Sequence, residues 1–453
     1  MENPPAMRSG WASRLGFILA AAGSAIGLGN IWKFPYIAGK NGGGAFVLVY
    51  LVCIVLLGLP IMVAELLVGR SGQRDAVGSF VALEGRRSPW RMVGWGSVVA
   101  AFLLLAFYSV VAGWSFDYVV KAASGALHRG SPEHVSQLFR QLTASPGRVL
   151  WWQGVFILAT VGIVLGGIRG GIERWSKILM PGLFALLMAL FLHAMFSAGG
   201  PQALRFMFEP DFSQLTSRSL LEALGHAFFT LSLGAGVMIT YGSYLDPEAD
   251  LFGLSMRIAL LDTLVALLAS LTIFSVVFSA GMPIGGGPGL VFETLPILFM
   301  QLPFGQLLAV VFFLLLAFAA LTSGISMLEV VVAYVIDECR WPRLRATAFV
   351  GAASFVLGIP CALSFNLWSD RQLLPGRTVF QTFDLFVSSY MLPLGGLLVA
   401  LYVGWVWSRD QEREALAHLR HNAAMFKVWH VLVRYLAPAA VILVLLNEAG
   451  LFA

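Results

Sequence analysis

The chain has 453 residues, of which 58% are hydrophobic and 12% charged, with a mean hydropathy of +0.82 and a formal net charge of +5. Soluble domains carry roughly 25% charged residues, so this composition excludes a soluble domain and implies an all-α polytopic membrane protein. The excess base comes mainly from loop arginines, which fit a role in topology better than clustered nucleic-acid contacts.

A membrane helix needs about 20 mostly apolar residues, and eleven stretches qualify, near 14–38, 43–69, 91–122, 150–166, 175–197, 220–245, 257–281, 304–336, 344–364, 380–407 and 428–449. The N-terminal MENPPAMRSG lacks the pattern of a cleaved signal peptide, so the first span is expected to act as its own insertion signal. Bases gather in alternate loops: Arg70, Arg74, Arg86, Arg87 and Arg91; Arg169, Arg174 and Lys177; Arg340, Arg343 and Arg345; Arg409, Arg413, Arg420 and Lys427. That bias places these loops and the N-terminus in the cytoplasm and the C-terminus outside, although the loop at 123–149 also carries Arg129, Arg140 and Arg148. Cys53, Cys339 and Cys361 show no metal spacing or disulfide framework, and Cys53 and Cys361 read as buried free thiols.

The first span is interrupted. Between Trp11 and Gly44 it meets Gly23, Gly27, Gly29 and Asn30 near its middle. Each glycine costs about 1 kcal/mol in a helix interior relative to alanine, so the helix is expected to open there. Irregular backbone at membrane depth survives only where it is buried in protein or lines a wet site. The sixth span repeats the device in 225–236, GHAFFTLSLGAG. Glycines in membrane helices also serve close packing. Two broken spans five apart, with Asn30 and Thr230 beside the breaks, point instead to a transporter site between two inverted halves. The expected organisation is 1–200 for the first repeat (spans one to five), 201–408 for the second (spans six to ten), and 409–453 for a cytoplasmic loop and the eleventh span, forming one membrane unit.

With RLGFILAAAGSAIGLGNIWKFPYIAGKNGGGAF, GLPIMVAELLVGR, FFTLSLGAG and LTSGISMLE in place, the chain resembles the neurotransmitter:sodium symporter family, particularly its prokaryotic amino-acid transporters. The resemblance runs from about Arg8 to Asp384 and continues loosely to the end. It implies a 5+5 inverted repeat with discontinuous first and sixth helices and an extra eleventh helix. It also implies two sodium ions carried with the substrate. The first would be held by the Ala25 carbonyl, Asn30, Thr230 and Asp262, where relatives usually have asparagine, and by the substrate carboxylate. The second would take the carbonyls of Gly23, Ile26 and Ala319 with the hydroxyls of Thr322 and Ser323. Back-bonding of those hydroxyls within their own helix is the competing explanation.

An ionisable group inside a span is a functional candidate by default. A fixed carboxylate at Asp262 would supply the negative charge that chloride supplies in relatives with a neutral residue there, and could take up a proton when sodium leaves. An ion pair with Arg257 is the rival reading. His226 stands where chloride-dependent members carry glutamine, and is expected to be packed and hydrogen-bonded. Glu65 is expected to support the opened backbone of the first and sixth helices.

Gly27 occupies the position where monoamine transporters place an amine-binding aspartate, so the substrate should be an amino acid bringing its own carboxylate. That group would meet the amides near Leu28 and Gly29 and the hydroxyl of Tyr108, whose rival reading is an interface aromatic. The ammonium would meet the carbonyls of Ala25, Phe229 and Ser232. Leu104, Val111, Phe229, Ala235 and Met327 would form an apolar side-chain pocket, with Ser323 and Gly324 beside it. Small Ala235 and Gly324 should leave room for hydrophobic or aromatic side chains.

The outer gate would be Lys33 with Asp384 under a lid of Tyr108 and Phe229. The inner gate would be Arg8 with Asp337, supported by Trp11, Ser243 and Tyr244, with Glu329 replacing a residue that is commonly glutamine. Gly171 and Pro181 match the family's Gly-x9-Pro pattern, which by resemblance would let the fifth helix unwind and hydrate the second sodium, proline kinking being the alternative. No enzyme-like nucleophile, base or metal spacing appears, and a channel would need a continuous pore. A proton-coupled carrier using Asp262 or Glu65 is the serious rival. The expected partners are an amino acid, sodium and membrane lipid, without nucleic acid or an obligate protein, in the cell inner (plasma) membrane.

Overall fold

A computed structural model describes residues 10–128, 131–281, 290–407 and 423–451. Arg8, Arg129, Arg409, Arg413 and Arg420 lie outside the described residues. The first span is two helices, α1 (Arg14–Ala25) and α2 (Gly29–Lys40), bent by 51°. They are followed by α3 (Gly44–Gly72), short α4 (Ala76–Glu84), α5 (Arg91–Ala123), α6 (Pro132–Ala144), α7 (Pro146–Leu165) and α8 (Ile168–Met195). The second half holds α9 (Gly200–Phe208), α10 (Ser217–Thr230), α11 (Val237–Gly242), α12 (Leu251–Ser279), α13 (Val291–Met300), α14 (Gly305–Cys339) and α15 (Arg343–Leu363). A small hairpin of β1 (Gln372–Leu374) and β2 (Arg377–Thr378) precedes α16 (Val379–Val406) and α17 (Ala424–Glu448). Helices α3, α5, α7, α8, α12, α14, α15, α16 and α17 are each long and apolar enough to cross a membrane.

Local chemistry explains many of the ends. Ser13, Asp75 and Asp250 cap α1, α4 and α12 by accepting from the amides of Gly16, Val77 and Gly253, satisfying donors that a helix leaves unpaired. Four prolines leave a common mark inside the spans. The residues before Pro35, Pro60, Pro393 and Pro438, namely Phe34, Leu59, Leu392 and Ala437, bond five residues back to Gly29, Ile54, Val387 and Leu432. A proline cannot donate and crowds the carbonyl four residues earlier; widening the preceding turn relieves that clash and keeps the ladder going. The loop expected at 123–149 contains α6, whose polar sequence has no membrane-length apolar run.

Broken pairs α1/α2 and α10/α11 form the centre. α1 packs on α14, α12 and α8, while α11 packs on α3. Cys53 and Cys361 are buried free thiols, as expected, and Cys339 is exposed.

Candidate functional site

α1 stops when Ile26 turns extended and its amide closes the last bond onto the Ala22 carbonyl. Carbonyls past that point must find other donors. Those of Gly23 and Ser24 receive Ser323 Oγ at 3.5 and 3.2 Å, and Ser24 also receives Ser232 Oγ at 3.0 Å. Between α10 and α11, Ser232, Gly234 and Gly236 have φ of 53°, 80° and 71°, a left-handed conformation that favours glycine. A Cβ on Gly234 would lie 2.0 Å from the Leu392 carbonyl oxygen. The Gly234 amide donates to Glu65 Oε1 at 2.6 Å, while Glu65 Oε2 is buried without a hydrogen-bond partner. Glu65 therefore braces the sixth-helix break; no bond of its carboxylate to the first helix is formed.

Asn30, Thr230 and Asp262, expected around the first ion, come together from three helices. Asn30 Nδ2 lies 3.1 Å from Thr230 Oγ1, 2.7 Å from Asp262 Oδ1 and 3.2 Å from the Asp262 carbonyl. Thr230 Oγ1 also lies 3.1 and 3.0 Å from the two Asp262 carboxylate oxygens, and Tyr50 donates to Oδ2 at 3.5 Å. All four residues are fully or almost fully buried. An amide NH2 donating to a hydroxyl, a carbonyl and a carboxylate marks an oxygen set suited to a hard cation. Arg257 is exposed and forms no ion pair with Asp262, which removes that rival reading.

The second cluster is tighter than back-bonding alone. Thr322 Oγ1 does bond within α14, to Phe318 and Ala319 carbonyls at 3.1 and 3.0 Å. Ser323 instead reaches across to α1, and a Cβ on Gly23 would come 3.0 Å from Thr322 Cβ. Gly23, Ala319, Thr322 and Ser323 are thus brought together.

Gly27 faces the same place. A Cβ there would meet Ser323 Oγ at 2.7 Å and Tyr108 Oη at 3.4 Å, so an aspartate has no room. The Gly27 amide already donates to Asn30 Oδ1 at 3.1 Å, which leaves Leu28 and Gly29 as the amides to offer. Tyr108 is buried, lies beside Ser323 and the Leu28 backbone, and its hydroxyl has no hydrogen bond of good geometry. It is no interface aromatic. The Phe229 carbonyl already accepts from the Ser232 amide at 3.1 Å. Gly324 departs from expectation: its missing side chain points to Phe156 Cζ, 2.6 Å from the position of a Cβ. The space it vacates is filled by α7.

Leu28, Gly29, Trp32, Lys33, Tyr36, Phe107, Tyr108, Val111, Phe229, Phe380 and Asp384 line a cavity of about 220 Å³. Leu104, Ala235 and Met327 are buried but do not line it. Lys33 and Asp384, the predicted outer gate, both face this cavity without pairing. Lys33 Nζ sits 4.2 Å above the Phe229 ring, and Asp384 Oδ1 accepts from Ser388 at 2.8 Å. An ammonium has no bidentate fork to hold a carboxylate, and the ring face offers it a competing site. His226 is packed as expected, stacked 5.5 Å from Phe34, but both its ring nitrogens lack hydrogen bonds.

At the Trp11 end, the indole donates to the Tyr241 carbonyl at 3.1 Å and meets Phe17, Tyr241 and Tyr244 edge-on. Ser243 donates to the Thr240 carbonyl at 2.6 Å, and Tyr244 donates to Glu329 Oε1 at 2.9 Å. Glu329, fully buried, is paired with Arg343, whose Nε donates to the Val164 carbonyl at 2.9 Å. Asp337 accepts from the Asp75 amide at 2.9 Å. Burial, and then the Asp337 and Glu338 carboxylates, push Asp75 up to about 7. Gly171 lies in a wide turn at Ile168–Glu173, where a Cβ would strike the Ile163 carbonyl oxygen at 2.0 Å, and Pro181 lies within the helix that follows.

Sequence reasoning missed Glu173. Its carboxylate takes the Ala12 amide at 2.7 Å, Ser13 Oγ at 2.8 Å and Lys177 Nζ at 2.6 Å, clamping the start of α1 to α8. The one available signal was the Glu173–Lys177 spacing of four residues, common on helices and silent about α1. It also missed the Arg343 partner of Glu329.

Comparison with known proteins gives a consistent result. The model of the sodium:neurotransmitter symporter family matches residues 8–137 and 131–452. An uncharacterised sodium-dependent transporter of Bacillus subtilis is 43% identical over 447 residues, covering 97% of this chain and 98% of that protein. The sodium-dependent dopamine transporter of Bos taurus is 26% identical over 521 residues, covering 99% of this chain and 71% of that one. The crystal structure of MhsT in complex with L-phenylalanine superposes with a TM-score of 0.90 at 44% identity, covering 97% of this chain and 100% of that one.

Proposed function

The chain belongs to the sodium:neurotransmitter symporter family, a family of transporters and not of enzymes, and from that premise we propose that it imports hydrophobic or aromatic L-amino acids with two sodium ions by alternating access. The observation that carries this reading is the convergence of Asn30, Thr230 and Asp262 beside Gly27, which faces Tyr108 and Ser323. A cation held by the first group lies next to Leu28, Gly29 and Tyr108, which line the cavity, and a substrate carboxylate bound there can share it. Carboxylate and ion then complete each other's coordination, so each raises the affinity of the other. Apolar Val111 and Phe229 on the cavity wall leave a polar side chain without partners on burial. The phenylalanine bound to the 44%-identical MhsT supports the same substrate class.

Asp262 supports chloride independence, since its carboxylate sits in the oxygen cluster with Tyr50 and Thr230. The second cluster of Gly23, Ala319, Thr322 and Ser323, with the Ile26 carbonyl, is the proposed seat of the second ion, and Gly171 with Pro181 its route to water. The proposed setting is the plasma membrane with a cytoplasmic N-terminus and an inverted repeat of 1–200 and 201–408. Competition of the twenty amino acids against sodium-dependent binding to purified protein tests the reading. Hydrophobic and aromatic competitors are expected to win, and binding should persist with chloride replaced by gluconate. Binding that is unchanged when potassium replaces sodium overturns the sodium reading in favour of proton coupling through Asp262 or Glu65.

A further inference from the structure

We propose that Phe156, on a helix outside the predicted substrate site, is a positioning residue that sets which side-chain sizes the transporter accepts; the proposal rests on the amino-acid reading above. Ser323 and Gly324 are successive on α14, so their side-chain directions differ by about 100°. Ser323 looks toward Gly27 and the α1 carbonyls, and position 324 looks toward α7. There the Phe156 ring fills the place of a side chain, with Cζ and Cε1 at 2.6 and 3.2 Å from a Cβ on Gly324 and Thr160 Oγ1 at 3.3 Å. The same ring lies 6.3 Å from the Tyr108 ring and 6.0 Å from that of Phe116. Phe156 is fully buried, and its carbonyl accepts from Thr160 Oγ1 at 2.9 Å.

One ring therefore backs two walls of the site, the α14 backbone at Gly324 and the ring of Tyr108. Interiors are close-packed, so neither wall can retreat while Phe156 stays. Shortening it leaves a void directly behind both, into which Tyr108 can move when a bulky substrate side chain presses on it. A Cβ placed at 324 refills part of that void. In the presence of Phe156 the same Cβ must displace the ring, which packs against Tyr108 and Phe116.

The test measures competition by leucine and by tryptophan against sodium-dependent binding to the purified protein and its variants. Phe156→Leu is expected to shift the tryptophan-to-leucine affinity ratio roughly tenfold toward tryptophan, the scale on which pockets discriminate by a methylene or two. Adding Gly324→Ala to it should return the ratio most of the way, and Gly324→Ala alone should move it several-fold toward leucine. Sodium dependence should be preserved in Phe156→Leu, because neither proposed ion cluster draws a residue from α7. Equal weakening of both amino acids in Phe156→Leu, or a ratio within twofold of the parent in the single variants, overturns the proposal. If Phe156→Leu does not fold, Gly324→Ala decides alone. A parent protein that binds no amino acid with sodium instead overturns the reading on which this rests.

Discussion

The two ends of the site are held by different chemistry. At the Lys33 end an aromatic lid and a cation over the Phe229 ring bound a cavity of about 220 Å³, and the two opposite charges there do not pair. At the Trp11 end, buried carboxylates interlock with neighbouring elements: Glu173 grips Ala12 and Ser13, Tyr244 meets Glu329, Glu329 meets Arg343, and the Asp75 amide meets half-buried Asp337. A cation over a half-buried ring such as Phe229 is worth on the order of 1 kcal/mol, whereas hydrogen bonds to charged groups contribute about 1.5–3 kcal/mol each. The difference teaches which end yields first. In this conformation the Trp11 end is closed by specific polar bonds, and the Lys33 end by contacts that cost little to rearrange.

Four changes break or sharpen that contrast. The largest effect is expected between the two ends, at the proposed ion cluster. Asp262→Ala removes the carboxylate shared by Asn30 and Thr230, and sodium affinity measured by titrating substrate binding should fall about a hundredfold, roughly 2.7 kcal/mol. An unchanged sodium titration would remove Asp262 from the ion site. Next comes Glu173→Gln, which keeps an acceptor but loses the charge that holds Lys177 and the α1 start. Hydrogen exchange across 10–25 should rise on the order of tenfold, with the segment around Lys33 unaffected; equal change at both ends would contradict the asymmetry.

A smaller effect is expected from Asp75, which lies between spans. Its folded pKa of about 7 stands above its ordinary 3.8. The folded protein thus holds the proton more tightly, and this contribution to stability is complete below about pH 4 and lost as pH rises through about 7. Asp75→Asn retains the oxygen that caps Val77 but cannot ionise. The melting temperature of the parent should fall from pH 6 to 8 more steeply than that of the variant; parallel curves would refute the assignment. The smallest effect is expected from a double-mutant cycle on Lys33→Met and Asp384→Asn. Their coupling in substrate affinity should be below about 0.5 kcal/mol, and a value near 2 kcal/mol would restore the ion pair.

Much of the centre was legible because breaking a membrane helix demands conspicuous residues. Gly27, Asn30, Thr230 and Gly234 announce irregular backbone and short oxygen ligands, and the structure brings Asn30, Thr230 and Asp262 into contact. Gly324 was legible as a small residue but misread as free volume. Lys33 and Asp384 were legible as opposite charges near one opening, though not as non-partners. Glu173 carried no signal beyond a common helical spacing.

By itself the sequence determined the membrane class, from a charge content too low for a soluble domain, and the place of the broken backbone, because freed carbonyls at that depth must be buried in protein or line a wet site. It also determined which side chains offer oxygens to a cation, since side-chain oxygens do not depend on packing to be oxygens. Only the tertiary structure decided who faces whom. The rotation and offset of one helix against the next turn Gly324 toward Phe156, Lys33 over Phe229 and Glu173 onto the start of α1. Those phases arise from the packing of all the spans together, and no local stretch of residues encodes them.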